Sequence, residues 1–242
     1  MPRTSVAKAV TRAALELSEA LETMDFPSPI SQVYNPLTYA WKAHERYLTR
    51  YGATQKKVVF LGMNPGPFGM MQTAVPFGEI SFVRDWMKIS KGVTRPRFEH
   101  PKRPIEGFDC KRSEISGKRL WGLFSARYPK AEDFFADHFV ANYCPLAFLE
   151  ESGRNFTPDK LPAPVARQLA SHCDAHLQKV IEILKPRWVI GVGAFARKRA
   201  ETALKGMEIS IGQVLHPSPA SPAANRGWAE QATSQLEALE LW

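Results

Sequence analysis

Cysteine is scarce: Cys110, Cys144 and Cys173 are an odd, scattered set with no CxxC spacing. Neither a disulfide framework nor a four-thiolate zinc or iron–sulfur site can be built from them alone, so they read as buried thiols of a reducing compartment. Long apolar runs are also missing. Val58-Val59-Phe60-Leu61 and Trp188-Val189-Ile190 fall far short of the roughly 20 residues a bilayer-spanning helix needs. Residues 1–24 alternate apolar positions with Arg, Lys and Glu and lack the continuous apolar segment of a secretory signal, so a mature intracellular chain with no membrane association is expected. No Gly-x-Ser-x-Gly elbow occurs, which argues against a serine hydrolase.

What is present suits one ample domain. The chain has 242 residues, 44% hydrophobic and 23% charged, so a sizeable core is available and disorder is excluded. Lys and Arg number 32 against 24 Asp and Glu, a net charge of +8. That excess favours a polyanionic partner, because each cation near a phosphate releases a counterion.

Hydrophobic periodicity predicts a covering helix over 5–24 and a second over 37–51, with prolines between them. Four short β-branched runs, 56–62, 139–144, 187–193 and 209–215, read as strands. Helices are predicted over 80–89, 118–128, 163–184, 194–204 and 226–241, and 91–111 reads as a basic loop. Strands separated by such helices imply parallel pairing, hence a three-layer α/β/α sandwich on a central, mainly parallel four-stranded sheet. The expected organisation is a single domain over 1–242, with 1–52 as N-terminal covering helices. Ligands in such sheets bind beyond the carboxyl ends of the strands, where the segments 63–79, 142–148 and 216–228 emerge.

Several apparent motifs have plainer explanations. Gly191-Val192-Gly193 sits on the third strand, so close packing explains it better than a dinucleotide site. In Gly62-Met63-Asn64-Pro65-Gly66-Pro67 two prolines remove donors a phosphate cradle would use, and no Gly-Lys-Ser/Thr follows. His172 and His176 are spaced i,i+4 but lack the Glu of HExxH and read as a surface or half-buried pair. His44, His100 and His138 have no partner at a telling distance. His216-Pro217-Ser218-Pro219 differs, since two prolines stiffen the loop and hold His216 in place as a catalytic donor requires.

Four separated segments together carry a resemblance: Gly62–Met70, Val75-Pro76-Phe77-Gly78-Glu79, Asn142-Tyr143-Cys144-Pro145-Leu146, and His216–Pro219 with Asn225-Arg226-Gly227-Trp228. In that order they resemble the single-strand-selective monofunctional uracil-DNA glycosylases, over about residues 30–240. The resemblance implies the uracil-DNA glycosylase fold and hydrolysis of the N-glycosidic bond of uracil in single- and double-stranded DNA, leaving an abasic site for base excision repair. It implies that Asn64 positions the attacking water and that His216 stabilises charge developing on uracil O2. Asn142 reads the Watson–Crick edge, Phe77 stacks on the flipped base, and Met63 and Met70 line the pocket. Gly66 leaves room beside C5, which implies that 5-hydroxymethyluracil is accepted too. Arg154, Asn155, Lys160, Ser218, Ala220, Asn225 and Arg226 are implied to face DNA. Ala220 stands where an arginine commonly fills the vacated space, and Ala74 where many members have Gly. No metal and no cofactor are implied.

The partner expected is uracil-containing DNA, with the protein a monomer, nuclear if eukaryotic and cytoplasmic with the nucleoid if bacterial. Two alternatives stay open at this level: action on another deaminated base such as xanthine or hypoxanthine, and a DNA-binding protein that kept the pocket without catalysis.

Overall fold

The computed structural model describes residues 3–242; Met1 and Pro2, which belong to the expected 1–242 domain and to the stretch searched for a signal, lie outside the described residues. Helix α1 (Arg3–Glu22) buries Val6, Val10, Ala13, Ala14, Leu17 and Leu21, the apolar stripe legible in the sequence. The segment after it corrects the expectation of helices alone over 1–52. Strand β1 (Ile30–Tyr34) comes first, then the short helix α2 (Pro36–Tyr39) and α3 (Trp41–Tyr51). Pro27 and Pro29 forbid continuation of α1, and β1 finds its hydrogen bonds on a strand more than a hundred residues away.

Strand β2 (Val58–Gly62) is buried at every position, as a central parallel strand should be. After it come α4 (Met70–Thr73) and, where a helix over 80–89 was expected, a widened π turn at Phe82–Trp86. Val83, Met87 and Ile89 are all fully buried yet do not share one α-helical stripe. The turn accommodates them with Met87 N–H reaching Phe82 O at 2.9 Å. Helix α5 (Ile115–Arg127) begins three residues before the predicted 118, and α6 (Ala131–Asp137) was not predicted.

Strand β3 (His138–Asn142) leads into β4 (Ala147–Glu150) and the two-residue β5 (Asn155–Phe156), then the long α7 (Ala163–Leu184). The chain ends through β6 (Trp188–Val192), α8 (Ala194–Ala203), β7 (Ser210–Val214) and α9 (Trp228–Glu237). The last helix is shorter than the expected 226–241, because Gly227 has φ 91° and cannot lie inside a helix.

The main sheet has the order β3-β2-β6-β7 and is parallel throughout, with Val58 opposite both His138 and Trp188. Strands β3 and β7 are the two edges, and the burial of β7 alternates accordingly. Helices α1, α3, α7 and α8 pack together on one side, and α5 carries α6 and α9 on the other. This is the expected three-layer α/β/α sandwich. Beside it stands an antiparallel sheet of order β1-β4-β5 that the sequence did not reveal. Connections leave β2 toward β3 on one side and return to β6 on the other, so the carboxyl end of β2 is a topological switch point. Among the described residues no helix is long and apolar enough to cross a membrane.

Candidate active site

The loops that leave β2 and β3 are joined as if the sheet continued. Tyr143 N–H donates to Gly62 O and Cys144 N–H to Met63 O, each at 2.9 Å. The Asn64 side chain closes the same seam, its Nδ2 donating to Leu146 O at 3.3 Å. With the amide nitrogen tied down, the carbonyl oxygen is the end that can accept from a water.

Asn142 ends β3 next to this seam. Its Oδ1 is buried with no hydrogen-bond partner, and its Nδ2 has only the Sδ of Met70 at 3.2 Å. An acceptor and a donor on one amide are thus left open side by side, an expensive arrangement unless a ligand completes it. The opening is made by Gly62: a Cβ there would collide with Asn142 Oδ1 and lie 2.5 Å from Phe77 Cε2. Phe77 forms the opposite wall. Its backbone is left-handed, φ 53°, unusual for a bulky residue. The fully buried Trp121 holds it there, the indole N–H donating to Phe77 O at 3.1 Å.

His216 follows β7 and lies with its ring centroid 6.1 Å from that of Phe77. Ser218 N–H donates to His216 Nδ1 at 3.1 Å, so the neutral ring carries its proton on Nε2. Burial lowers the imidazole pKa and favours that neutral form. The residue before it is clamped: Leu215 O accepts from Trp228 Nε1 at 2.6 Å, and Leu215 N–H donates to Gln235 Oε1 at 2.7 Å. Gly193, with φ 93°, leaves space for His216, since a Cβ there would sit 2.9 Å from the histidine Cβ.

Arg119 of α5 went unnoticed in the sequence, where nothing distinguished it from other basic residues on a helix. Its Nη1 donates to Pro217 O at 3.1 Å and to Ser218 O at 3.3 Å, and its Nη2 to Asn225 Oδ1 at 2.8 Å. One guanidinium therefore ties the loop after His216 to the body of the protein.

The uracil DNA glycosylase superfamily model matches residues 49–238. The single-strand selective monofunctional uracil-DNA glycosylases of Rattus norvegicus and Mus musculus are each 48% identical to this chain over 239 residues, covering 98% of it and 86% of their own length. The Bos taurus counterpart is 47% identical, covering 98% of this chain and 88% of its own. The chain belongs to the single-strand-selective monofunctional uracil-DNA glycosylases. Its fold is shared by the crystal structure of wild-type Pedobacter heparinus SMUG2, TM-score 0.64 at 16% identity, covering 94% of this chain and 98% of that one.

Within this glycosylase, Asn142 and Phe77 meet at Gly62, His216 lies beside Phe77, Asn64 sits on the seam that follows β2 and β3, Met70 is buried against Asn142, and Met63 and Gly66 are half-buried. The residues expected to face DNA fall into two groups. Ser218, Ala220, Asn225 and Arg226 lie on the loop after His216, where Ala220 and Arg226 are exposed. Asn225 uses both ends of its amide inside that loop, accepting from Arg119 and donating to Pro219 O at 2.9 Å. Arg154 directly precedes β5, Asn155 begins it and Lys160 ends the following turn, with Arg154 and Lys160 exposed.

The residues set aside by sequence have structural duties. His44 Nδ1–H donates to Ala74 O at 2.7 Å, holding Ala74 in a left-handed conformation with φ 57°. His176 lies 3.1 Å from Ala13 O, and a Cβ at Gly191 would collide with the backbone of Arg197. The three cysteines are buried thiols. Among the described residues no group of three or more His, Cys, Asp or Glu could hold a metal ion.

Proposed function

We propose that Asn142 binds the Watson–Crick edge of an extruded uracil, that Asn64 aims the attacking water, and that the Nε2–H of His216 stabilises the departing base. Excision of uracil from DNA, the first step of base excision repair, is the activity of the family to which this chain belongs. The observation that carries the residue-level reading is the pair of open groups on Asn142. Uracil offers a donor at N3 beside an acceptor at O4, the complement of Oδ1 and Nδ2; cytosine offers the reverse.

Cleavage of the C1′–N1 bond leaves an oxocarbenium-like sugar and a uracil anion. The cationic sugar needs only a well-placed weak nucleophile, which suits an amide that orients water without deprotonating it. The anion needs a donor already in place, which suits a neutral imidazole fixed by Ser218. Phe77 stacks on the base, an interaction worth roughly 1–3 kcal/mol in other nucleic-acid proteins. Water is the nucleophile, so no lysine Schiff base forms.

Gly66 leaves room beside C5, and we extend the substrate range to 5-hydroxymethyluracil and to uracil in duplexes as well as single strands. Arg154, Lys160 and Arg226 supply cations for the backbone, and Ser218 and Ala220 line the approach. We read residues 1–242 as a single domain acting as a monomer on DNA, nuclear in a eukaryote and with the nucleoid in a bacterium. The test is an alkaline-cleavage gel on single-stranded and U:G duplex oligonucleotides in EDTA, with a parallel lane omitting alkali. Breaks only after alkali are expected; no excision from either substrate would refute the reading.

A further inference from the structure

Elsewhere in the chain arginines pair with acids, as Arg50 does with Glu132 and Arg199 with Asp174, or hold a loop, as Arg119 does. Arg103 and Arg112 do neither. Both lie against the ring of Phe68, their Cζ atoms 5.5 and 4.0 Å from its centroid. Among the described residues neither makes an ion pair. Two positive charges on one ring stand no more than about 10 Å apart, near the Debye length of 0.1 M salt, and repel each other. A phenyl ring attracts a cation weakly and does not neutralise it, so the pair lacks an anion.

The ring that gathers them belongs to the loop leaving β2. Phe68 comes four residues after Asn64 and two before Met70, whose Sδ faces the Asn142 amide. Gly69 N–H donates to Gly66 O at 3.3 Å, so Phe68 stands on a tight turn, half-buried. The two arginines reach it from separate segments. Arg103 closes a bridge with His100, and its carbonyl accepts from the Tyr34 hydroxyl at 2.8 Å. Arg112 precedes α5 and is exposed. One side of the Arg103 guanidinium is already committed: Nη1 donates to Lys102 O at 2.8 Å, and Nε is buried with no partner. That is a costly way to hold a cation unless a ligand offsets it. Glu114, the acid nearest to Arg112 in sequence, accepts instead from the Phe68 and Ser116 backbone N–H groups.

We propose that Arg103 and Arg112, mounted on Phe68, clamp a DNA phosphate close to the extruded nucleotide, a site that rests on the base-binding role given to Asn142 above. A phosphodiester supplies the missing negative charge, and its two non-bridging oxygens suit guanidinium forks. The shared ring sets both forks in place before DNA arrives, so little side-chain freedom is left to lose on binding. The turn that carries Phe68 runs from Asn64 to Met70. A phosphate caught there therefore holds the strand in register with the pocket. The basic loop over 91–111 also gains a task, since Arg103 comes from it.

The test measures binding of the parent, Arg112→Ala and Arg103→Ala to a single strand carrying an uncleavable 2′-fluorinated deoxyuridine, over a series of salt concentrations, with thermal melts alongside. Arg112→Ala is expected to bind roughly 10-fold more weakly at low salt. It should also lose about 0.7 from the slope of log affinity against log salt, the share of one phosphate on a single strand. Arg103→Ala should act in the same direction. Arg112→Lys should keep the slope and recover only part of the affinity, because it keeps the charge without the fork. Methylphosphonates placed one at a time around the uridine locate the contact: at one position the neutral linkage should weaken the parent but not Arg112→Ala. An unchanged slope, or losses that simply add at every position, would overturn the proposal. If Arg103→Ala fails to fold, the exposed Arg112 decides alone. Inorganic phosphate at matched ionic strength should stabilise the parent and Arg112→Ala alike; stabilisation confined to the parent would mark a site for the free anion and overturn the assignment to DNA. A parent enzyme that fails to excise uracil would instead refute the underlying functional reading.

Discussion

The Ser218 amide donates to His216 Nδ1 at 3.1 Å, so the loop that carries the histidine also chooses its tautomer. The proton is left on Nε2, and burial holds the ring's pKa below its ordinary value of 6.5. His216 is thus a neutral donor at physiological pH, a form that no sequence pattern discloses. Nitrogen NMR of the ring at pH 7 should show a protonated Nε2 and an unprotonated Nδ1. Replacing His216 by Ala should lower the single-turnover rate by roughly 10²–10³-fold, with a small change in DNA affinity. An imidazolium at pH 7 would contradict the assignment.

On the proposed reading Asn142 sets activity against stability. Its Oδ1 is buried and without a partner, a cost the folded protein bears in the absence of a ligand. Asn142→Ala should therefore reduce uracil excision by roughly 10²-fold or more while raising stability by up to about 1 kcal/mol. Urea unfolding beside kinetics checks both signs, and a variant that loses stability would show the amide to be satisfied in the empty pocket.

Arg119 should behave as a positioning residue. Removing its three hydrogen bonds by Arg119→Ala is expected to slow excision roughly 10-fold. Lysine should restore little, because it cannot reproduce the planar fork. The same loop carries Ala220 and Arg226, so DNA affinity should weaken in parallel. Titration of a labelled abasic strand reads that effect separately from chemistry.

Acid stability should report on His44. Its pKa is lowered to about 4 from 6.5 by burial, against the opposing effect of its bond to Ala74 O. The folded state therefore takes up this proton later than the unfolded chain does. The stability tied to neutral His44 is intact above pH 6.5 and is lost as pH falls toward 4, by about 3 kcal/mol at most. His44→Gln should flatten the slope of unfolding free energy against pH in that window.

Much of this was legible in the sequence, and the limits have physical causes. The four parallel strands announced themselves because buried strands must be apolar on both faces, as Val58–Leu61 is. Asn64, Phe77 and Asn142 were named through the resemblance of the segments that carry them, and His216 also stood out by itself because two prolines follow it at a strand end. The small sheet was missed because β1 and β4 are short, begin near prolines and pair across more than a hundred residues. Arg119 was missed because what sets it apart is orientation. It lies inside an ordinary helix, and only the fold turns it toward the His216 loop.

The seam between Gly62–Asn64 and Tyr143–Leu146 divides the pocket into halves of different stiffness. On that side Asn142 and Asn64 hang from an extension of the β2–β3 ladder, so neither shifts without pulling on β2, a buried central strand. His216 hangs from an edge strand, a tryptophan and a single guanidinium. On the reading proposed above, the pocket resembles a vice whose fixed jaw gauges the base, and the give needed for a nucleotide to enter is expected in the less braced jaw that carries His216.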